Sequence, residues 1–332
     1  MRPKIIFMAK VLGVGNALVD ALIRLENDQL LNELNLPKGS MTLVDDETKT
    51  LIGAKSAHLK KDMASGGSAA NTIHGLAKLN TEASFIGSVG KDKTGDFFYN
   101  DLQNSKINPL LSRSKTPTGI ASTLISKDGE RTFGTYLGAA IELSGKNLSP
   151  QQFEGFDIMH VEGYLVQNHE LLETILKYAK QAGSKISVDL ASYNVVEANL
   201  GFLKEMLEKY VDIVFANEEE AKAFTGKEPE EALYEISLSV ETAVVKIGSR
   251  GSMVKNGETV YTIAPIAVEV TDTTGAGDAY AAGFLFGMMN NLGFENAGII
   301  GTLLASTTIE TLGARIKDES WEEILKKISI LK

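Results

Sequence analysis

Residues 270 to 287 read VTDTTGAGDAYAAGFLFG, with Asp272 and Asp278 at either end of a turn that holds Gly275, Ala276 and Gly277. From Ala279 to Met289 the chain is apolar on nearly every face, which predicts a helix sheathed in protein rather than lying on a surface. The turn before it leaves backbone N–H groups unobstructed at the helix N-terminus, where unpaired donors and the helix dipole favour negative charge. Asp278 falls in the first turn of that helix, so a carboxylate is fixed beside a place suited to a phosphoryl group or an oxyanion. A base next to such a place is what moving a phosphoryl group onto an alcohol requires. Taken by itself the pattern also fits an Asp that merely complements the helix dipole.

The elements that must position these residues follow from the rest of the chain. Residues 10 to 15, KVLGVG, read as a buried strand entering a tight turn, with Asn16 and Asp20 just beyond it. Gly13 and Gly15 begin a dinucleotide fingerprint, but its third glycine is replaced by Leu18, which leaves an NAD-dependent oxidoreductase a distant alternative. Residues 21 to 64 carry short apolar pieces without a strand–helix rhythm and suit a peripheral module. In SGGSAANTIHGLAKLN, Gly66 and Gly67 lead into a small-residue helix starting near Ser68, glycine there permits close approach of a ligand to the backbone, and Asn71 lies one turn in. ASFIGSVGKDKTGD reads as a strand and a Gly-punctuated loop; Gly87, Gly90 and Lys91 lack Walker spacing. Residues 118 to 138 form a hairpin about Asp128-Gly129, a pair suited to a two-residue type I′ turn, with Arg131 just past it.

From 156 to 263 strands and helices alternate, which predicts a parallel sheet with helices on both faces and ligands beyond the carboxyl ends of the strands. Glu162, Asp189, Asn217 and Lys246 fall at or near such ends, with Glu220 three residues past Asn217. SMVKNGETVYTI is a hairpin turning at Asn256-Gly257, and two further helices close the chain. A first helical turn of Glu218 and Glu219 is a dipole partner and nothing more.

Composition excludes several classes. A formal charge of -10 argues against non-specific nucleic-acid binding. The absence of cysteine excludes disulfides, thiolate metal sites and Cys nucleophiles. No apolar run reaches the roughly 18 to 20 residues of a membrane span, IIFMA is too short for a signal-peptide core, and a cytoplasmic protein is expected. Met8 is a second plausible start, which would make residues 1 to 7 a dispensable extension. His58, His74, His160 and His169 have no metal-site spacing and read as structural or solvated.

DTTGAGDAYAAGF and SGGSAAN, in this order and about 200 residues apart, resemble the two signatures of the ribokinase-like, or PfkB, family of carbohydrate and nucleoside kinases, and the resemblance runs nearly the whole chain. It implies a three-layer α/β/α core with a mostly parallel sheet, formed by 1–17, 65–114 and 139–332, and a discontinuous β lid from 18–64 and 115–138. It also implies that Asp278 is the base, that Gly275, Ala276, Gly277 and Arg131 stabilise the transferring phosphoryl group, and that Asn16, Asp20, Gly67, Asn71 and Glu162 meet the substrate. ATP is expected at Asn217, Lys246, Gly248, Ser249 and Gly251, with Mg²⁺ reached by Glu220 through water. Asp272 and Thr274 are the candidate potassium ligands, although the residues after TLGAR, Ile316-Lys317-Asp318, depart from the family's cation loop.

GNALVD and ERTFGTYLG resemble the adenosine-kinase-like branch, so adenosine is the favoured acceptor. A free sugar such as ribose, fructose or a ketodeoxy sugar acid is the alternative, and a catalytically silent nucleoside-binding regulator is the alternative of another class. The chain is expected to act as a monomer or homodimer on a small molecule, without nucleic acid or membrane.

Overall fold

The computed structural model describes residues 9–331, so the reading of residues 1 to 7 as an extension, and of Met8 as a start, lies outside the described residues. In chain order the strands are β1 (Lys10–Val14), β2 (Leu18–Arg24), β3 (Met41–Leu43), β4 (Lys61–Gly66), β5 (Glu82–Gly90), β6 (Ile107–Ser114) and β7 (Gly119–Ile125). There follow β8 (Arg131–Tyr136), β9 (Ile158–Glu162), β10 (Lys185–Asp189), β11 (Ile213–Asn217), β12 (Thr242–Lys246), β13 (Ser252–Asn256) and β14 (Thr259–Ile263).

Nine of them form one sheet in the order β14-β13-β12-β11-β10-β9-β1-β5-β6. It is parallel from β6 through β12, and only β13 and β14 run antiparallel at one edge. Strands such as IMHVE and IVFAN are buried almost throughout because both faces are covered. On β11 the alternation is visible in what each residue meets. Val214 and Ala216 enter a core with the helices His169–Ala182 and Leu200–Tyr210, while Ile213 and Phe215 enter a second core with Ser68–Lys78, Ala276–Met289 and Phe294–Ile309. The result is the expected three layers. The short helices Tyr193–Ala198 and Pro229–Ile236 were not legible in the sequence pattern.

The other five strands form a second sheet, β3-β8-β7-β2-β4, from residues 18–66 and 119–136. Its β2 and β7 are parallel, so the β7–β8 hairpin is inserted between β2 and β3 of a distant segment. Leu31, Leu34, Leu36 and Ile52 cover one face against Ile23 and Leu124, which explains the scattered apolar pieces of 21–64. The opposite face looks toward the carboxyl ends of the large sheet. Among the described residues no helix is long and apolar enough to cross a membrane.

Two local readings need correction. The β7–β8 connection is not a two-residue turn: Ser126 N–H donates to the Glu130 carbonyl at 2.9 Å and Gly129 N–H to the Ser126 carbonyl at 3.0 Å. That encloses Lys127-Asp128-Gly129, and in it only Gly129 has a positive φ, +87°, as in a type I turn closed by a glycine bulge. The Gly-punctuated loop after residue 86 is also mostly strand, since β5 continues to Gly90 and Asp92 caps the next helix.

The closest helix packing depends on glycine. A methyl at Gly283 would lie 2.6 Å from the Ile300 carbonyl oxygen and 2.8 Å from Gly301. Gly283→Ala is therefore expected to lower stability by ~1–3 kcal/mol through overpacking, read from the urea midpoint. Gly201→Ala, at a helical site with open space, should hold or raise that midpoint; equal effects of the two would refute this packing argument.

Candidate active site

The turn before the helix Ala276–Met289 closes on Gly275 at φ +75°, and a Cβ there would strike Ala314 at 2.6 Å. Glycine is required for both reasons, and Ala314 of TLGAR is thereby the plug behind the turn. Asp278 sits in the first helical turn. One carboxylate oxygen accepts from Ser68 Oγ at 2.7 Å and the other from Asn71 Nδ2 at 3.0 Å, while Thr72 Oγ1 donates to its carbonyl at 3.2 Å. All three donors lie on the helix Ser68–Lys78, which approaches closely because Gly75 leaves room for Ala282. Burial pushes the Asp278 carboxyl up to about 6 against the pull of the Ser68 and Asn71 hydrogen bonds. The buried Oδ1 of Asn71 is left without a partner. Ser68 escaped the sequence reading although it stands inside SGGSAAN.

Four neighbouring parallel strands end in Glu162, Asp189, Asn217 and Lys246, which form a row along the sheet's carboxyl edge. Glu162 accepts from Asn16 Nδ2 at 2.6 Å and Ala69 N–H at 3.3 Å, and burial pushes its carboxyl up to about 7. Gly15 exists to admit it, for a Cβ at that position would lie 2.6 Å from Glu162 Oε2. Asp189 and Lys246 pair at 2.9 Å. Asp189 is buried and Lys246 largely so, yet their attraction outweighs desolvation and keeps the ammonium above and the carboxyl below their ordinary values.

The N-x-x-E motif is a capping box: Asn217 Oδ1 accepts from Glu220 N–H at 2.8 Å, and the Glu220 carboxylate accepts from the backbone N–H and Nδ2 of Asn217 at 2.8 and 2.7 Å. Burial and the neighbouring Asp189 carry the Glu220 carboxyl to about 7.

At the other end of the site Asp20 lies on β2, paired with Ala64 of β4. A Cβ at Gly66 would fall 2.2 Å from the Asp20 carboxylate, and one at Gly67 (φ +94°) 2.1 Å from the Asn16 carbonyl. The side-chain direction at these two glycines is thus filled by protein, while Gly67 itself still lines the cavity. Burial pushes Asp20 up to about 7 despite the nearby Arg315. Arg315 Nη1 donates to Asp101 at 2.9 Å, and its Nη2 reaches the Ser65 carbonyl and hydroxyl. The sequence pattern had not singled out Arg315, Asp101 or Ser65, because nothing local links positions so far apart.

Arg131, first in β8, forms an ion pair with Asp272 and donates to Thr274 Oγ1 at 2.9 Å. Asp272 also accepts from Thr274 N–H at 2.7 Å and Gly313 N–H at 2.9 Å. The two candidate potassium ligands are therefore held by the guanidinium expected over the phosphate. Gly248 and Gly251 have φ of +56° and +94°, and a Cβ at Gly251 would strike the Ile263 carbonyl at 2.0 Å, so this glycine is also needed by the hairpin.

One cavity of about 1350 Å³ joins these parts. Asn16, Asp20, Gly67, Asn71 and Glu162 lie at its margin, as do Asn217, Glu220, Lys246, Gly248, Ser249, Gly251, Asp272 and the 274–278 turn. Of the singled-out residues, Arg131 stands behind Asp272 and Thr274. A large α/β sheet, a second small sheet over its carboxyl edge and an anion turn beside a buried carboxylate define a ribokinase-like phosphotransferase. The pfkB family carbohydrate kinase model matches residues 41–321, and the chain belongs to that family.

Among its relatives, a probable sugar kinase from Rhizobium etli superposes with a TM-score of 0.86 at 33% identity, covering 98% of this chain and 99% of that one. Adenosine kinase from Sinorhizobium meliloti gives 0.85 at 30% identity, over 96% and 99% of the two chains. A ribokinase from Lactococcus lactis is 31% identical over 278 residues, 81% of this chain and 87% of its own. The protein is an ATP-dependent sugar or nucleoside kinase.

The crowded carboxyls have a consequence for stability. Asp20, Glu162 and Glu220 are raised to about 7 and Asp278 to about 6, so near neutrality the native state binds protons that the unfolded chain does not. Stability must then fall as pH rises through these values. His74 and His160, held neutral by burial, act in the opposite sense only below their ordinary value of 6.5. The unfolding midpoint is expected to drop between about pH 6.5 and about pH 8.5; a midpoint that holds or rises over that range would contradict the electrostatics described here.

Proposed function

We propose that the protein moves the γ-phosphoryl group of ATP onto the hydroxymethyl group of a ribonucleoside, with adenosine the favoured acceptor. The observation that carries this reading is the wall of the cavity formed by the small sheet. Leu22, Met41, Leu43, Met63, Phe133 and Leu137 line it, and Met41, Leu43 and Met63 are 58%, 59% and 45% exposed. A free sugar, polar on all sides, would gain little from such a wall. A purine would bury both faces there while its ribose met Asp20, Asn16 and Glu162. The small sheet then acts as a lid that closes the acceptor off from water.

In this reading Asp278 takes the proton from the accepting hydroxyl, and Ser68 and Asn71 aim its carboxylate. The unpartnered Asn71 Oδ1 and the backbone at Gly67 are left to meet sugar hydroxyls. The Gly275, Ala276 and Gly277 amides receive the charge that develops on the phosphoryl group. The nucleotide lies along Asn217, Lys246, Gly248, Ser249 and Gly251. Glu220, a buried carboxylate at the cavity margin bonded only within its capping box, suits contact with Mg²⁺ through water; the ion would neutralise the nucleotide phosphates. Arg131 leaves Asp272 and Thr274 to reach the phosphoryl group, which frees these two for potassium.

The test is ADP release from MgATP with adenosine, other nucleosides, ribose, fructose and ketodeoxy sugar acids in turn, with potassium titrated in. Adenosine should give the highest kcat/KM, with turnover declining below pH about 6 as Asp278 takes up its proton. Asp278→Asn should lower kcat by about 10²- to 10⁴-fold while ATP affinity stays. Turnover of a sugar but not of adenosine would replace the acceptor, and near wild-type kcat in the variant would remove Asp278 from its role. Stimulation by potassium is expected; its absence would leave Arg131 on Asp272 throughout the cycle.

A further inference from the structure

In the row of strand ends, Glu162 pairs with Asn16 and Asn217 caps a helix, but Asp189 has no evident partner on the substrate side. Its Oδ1 accepts from Ala191 N–H at 3.0 Å, and its Oδ2 holds Lys246 Nζ at 2.9 Å. The place to which it holds that ammonium is unusual. A methyl group at Gly277 would lie 3.0 Å from Lys246 Nζ, so the cation reaches over the first turn of the helix Ala276–Met289. A positive charge is disfavoured at the positive end of a helix dipole, and desolvation disfavours it further. The charges that favour the ammonium there are Asp189 first, then Glu220 and Asp278. A cation kept against the local field is useful when an anion arrives to share the same amides.

We propose that Asp189 is a positioning residue that holds the Lys246 ammonium over the Gly275–Gly277 turn, where Lys246 stabilises charge on the phosphoryl group in transit rather than gripping the ground-state nucleotide. This inference rests on the phosphotransfer reading above and narrows the role of Lys246 within it. The ammonium faces the phosphoryl group as that group leaves ATP for the acceptor oxygen; no bond to Lys246 forms and no proton leaves it. Asp189 lines the same cavity, but both of its carboxylate oxygens are engaged, by Ala191 N–H and Lys246 Nζ, so it acts through Lys246. An interaction made in the transition state and absent from the bound ground state changes kcat and leaves KM alone.

The experiment is steady-state ADP release from MgATP with whichever of adenosine, ribose or fructose wild type turns over fastest, for wild type, Asp189→Asn, Lys246→Met and the double variant. Asp189→Asn keeps an oxygen for Ala191 and removes only the charge, and the double variant leaves no buried charge unpaired. Lys246→Met is expected to lower kcat on the order of 10²- to 10³-fold, the effect of removing one preorganised donor, with KM for ATP within about 3-fold. Asp189→Asn should lower kcat about 10-fold, again with little change in KM. The double variant should fall no more than about 2-fold below Lys246→Met, because the two act as one unit.

Wild-type kcat in Asp189→Asn, multiplying losses in the double variant, or a loss confined to KM for ATP would each overturn the proposal. A lowered melting temperature with unchanged kcat would make Asp189 structural only, which also overturns it. Failure of the underlying phosphotransfer reading looks different: wild type itself would release no ADP with any acceptor.

Discussion

A helix without a polar face has to be enclosed on all sides, and that requirement governs this molecule. Ala276–Met289 is packed between the large sheet and the helices Ser68–Lys78 and Phe294–Ile309, with glycines at 75, 283, 287 and 301 bringing backbones together where side chains would keep them apart. Enclosure fixes the helix start to the sheet edge. The amides at that start and the Asp278 carboxylate therefore have one relative position, and no solvent shell has to reorganise around them when charge appears. The price is desolvation, visible in the raised carboxyls of Asp278, Glu162, Glu220 and Asp20.

The carboxyl edge of the sheet distributes those charges in a definite way. Glu162 at that edge is moderated by Asn16, and Asp20 on the small sheet by Arg315. Asp189 and Lys246 neutralise each other beside the Gly275–Gly277 turn. Arg131 is anchored at the turn's entrance by Asp272. Each of these cations is thus stationed on a carboxylate, Arg131 on Asp272, Lys246 on Asp189 and Arg315 on Asp101, so the positive charge at this edge is held in fixed places. Ordered charge in a water-poor cleft acts more strongly than the same charge in solvent.

Much of this was legible from residue order. The alternation after residue 156 announced parallel strands, the apolar run after Ala279 announced an enclosed helix, and the Gly-rich turn with Asp278 announced the family. What escaped had physical reasons. The β7–β8 loop contains Asp128-Gly129, but the strands stop one residue earlier than that pair implies, so the glycine closes a bulge instead of a tight turn. Gly66 and Gly67 mark close approach correctly, but the group that approaches is the protein's own Asp20 or Asn16. Ser65, Asp101 and Arg315 form a cluster only after three distant segments meet, and Ala314 matters only because Gly275 lies against it. Such contacts leave no periodicity to read.

The pairing scheme also bears on how the chain is made. β1, at residues 10–14, has its sheet neighbours at 82–90 and 158–162, and β2 pairs in parallel with a strand a hundred residues away. During vectorial synthesis at the ribosome the first strand must wait for residues 158–162 before both of its neighbours exist, and Ser68 and Asn71 wait some two hundred residues for Asp278. Such non-local closure is slow and leaves strand edges uncovered for long intervals. A nascent chain therefore carries no half-built site capable of premature chemistry, but it has a prolonged need for protection by chaperones.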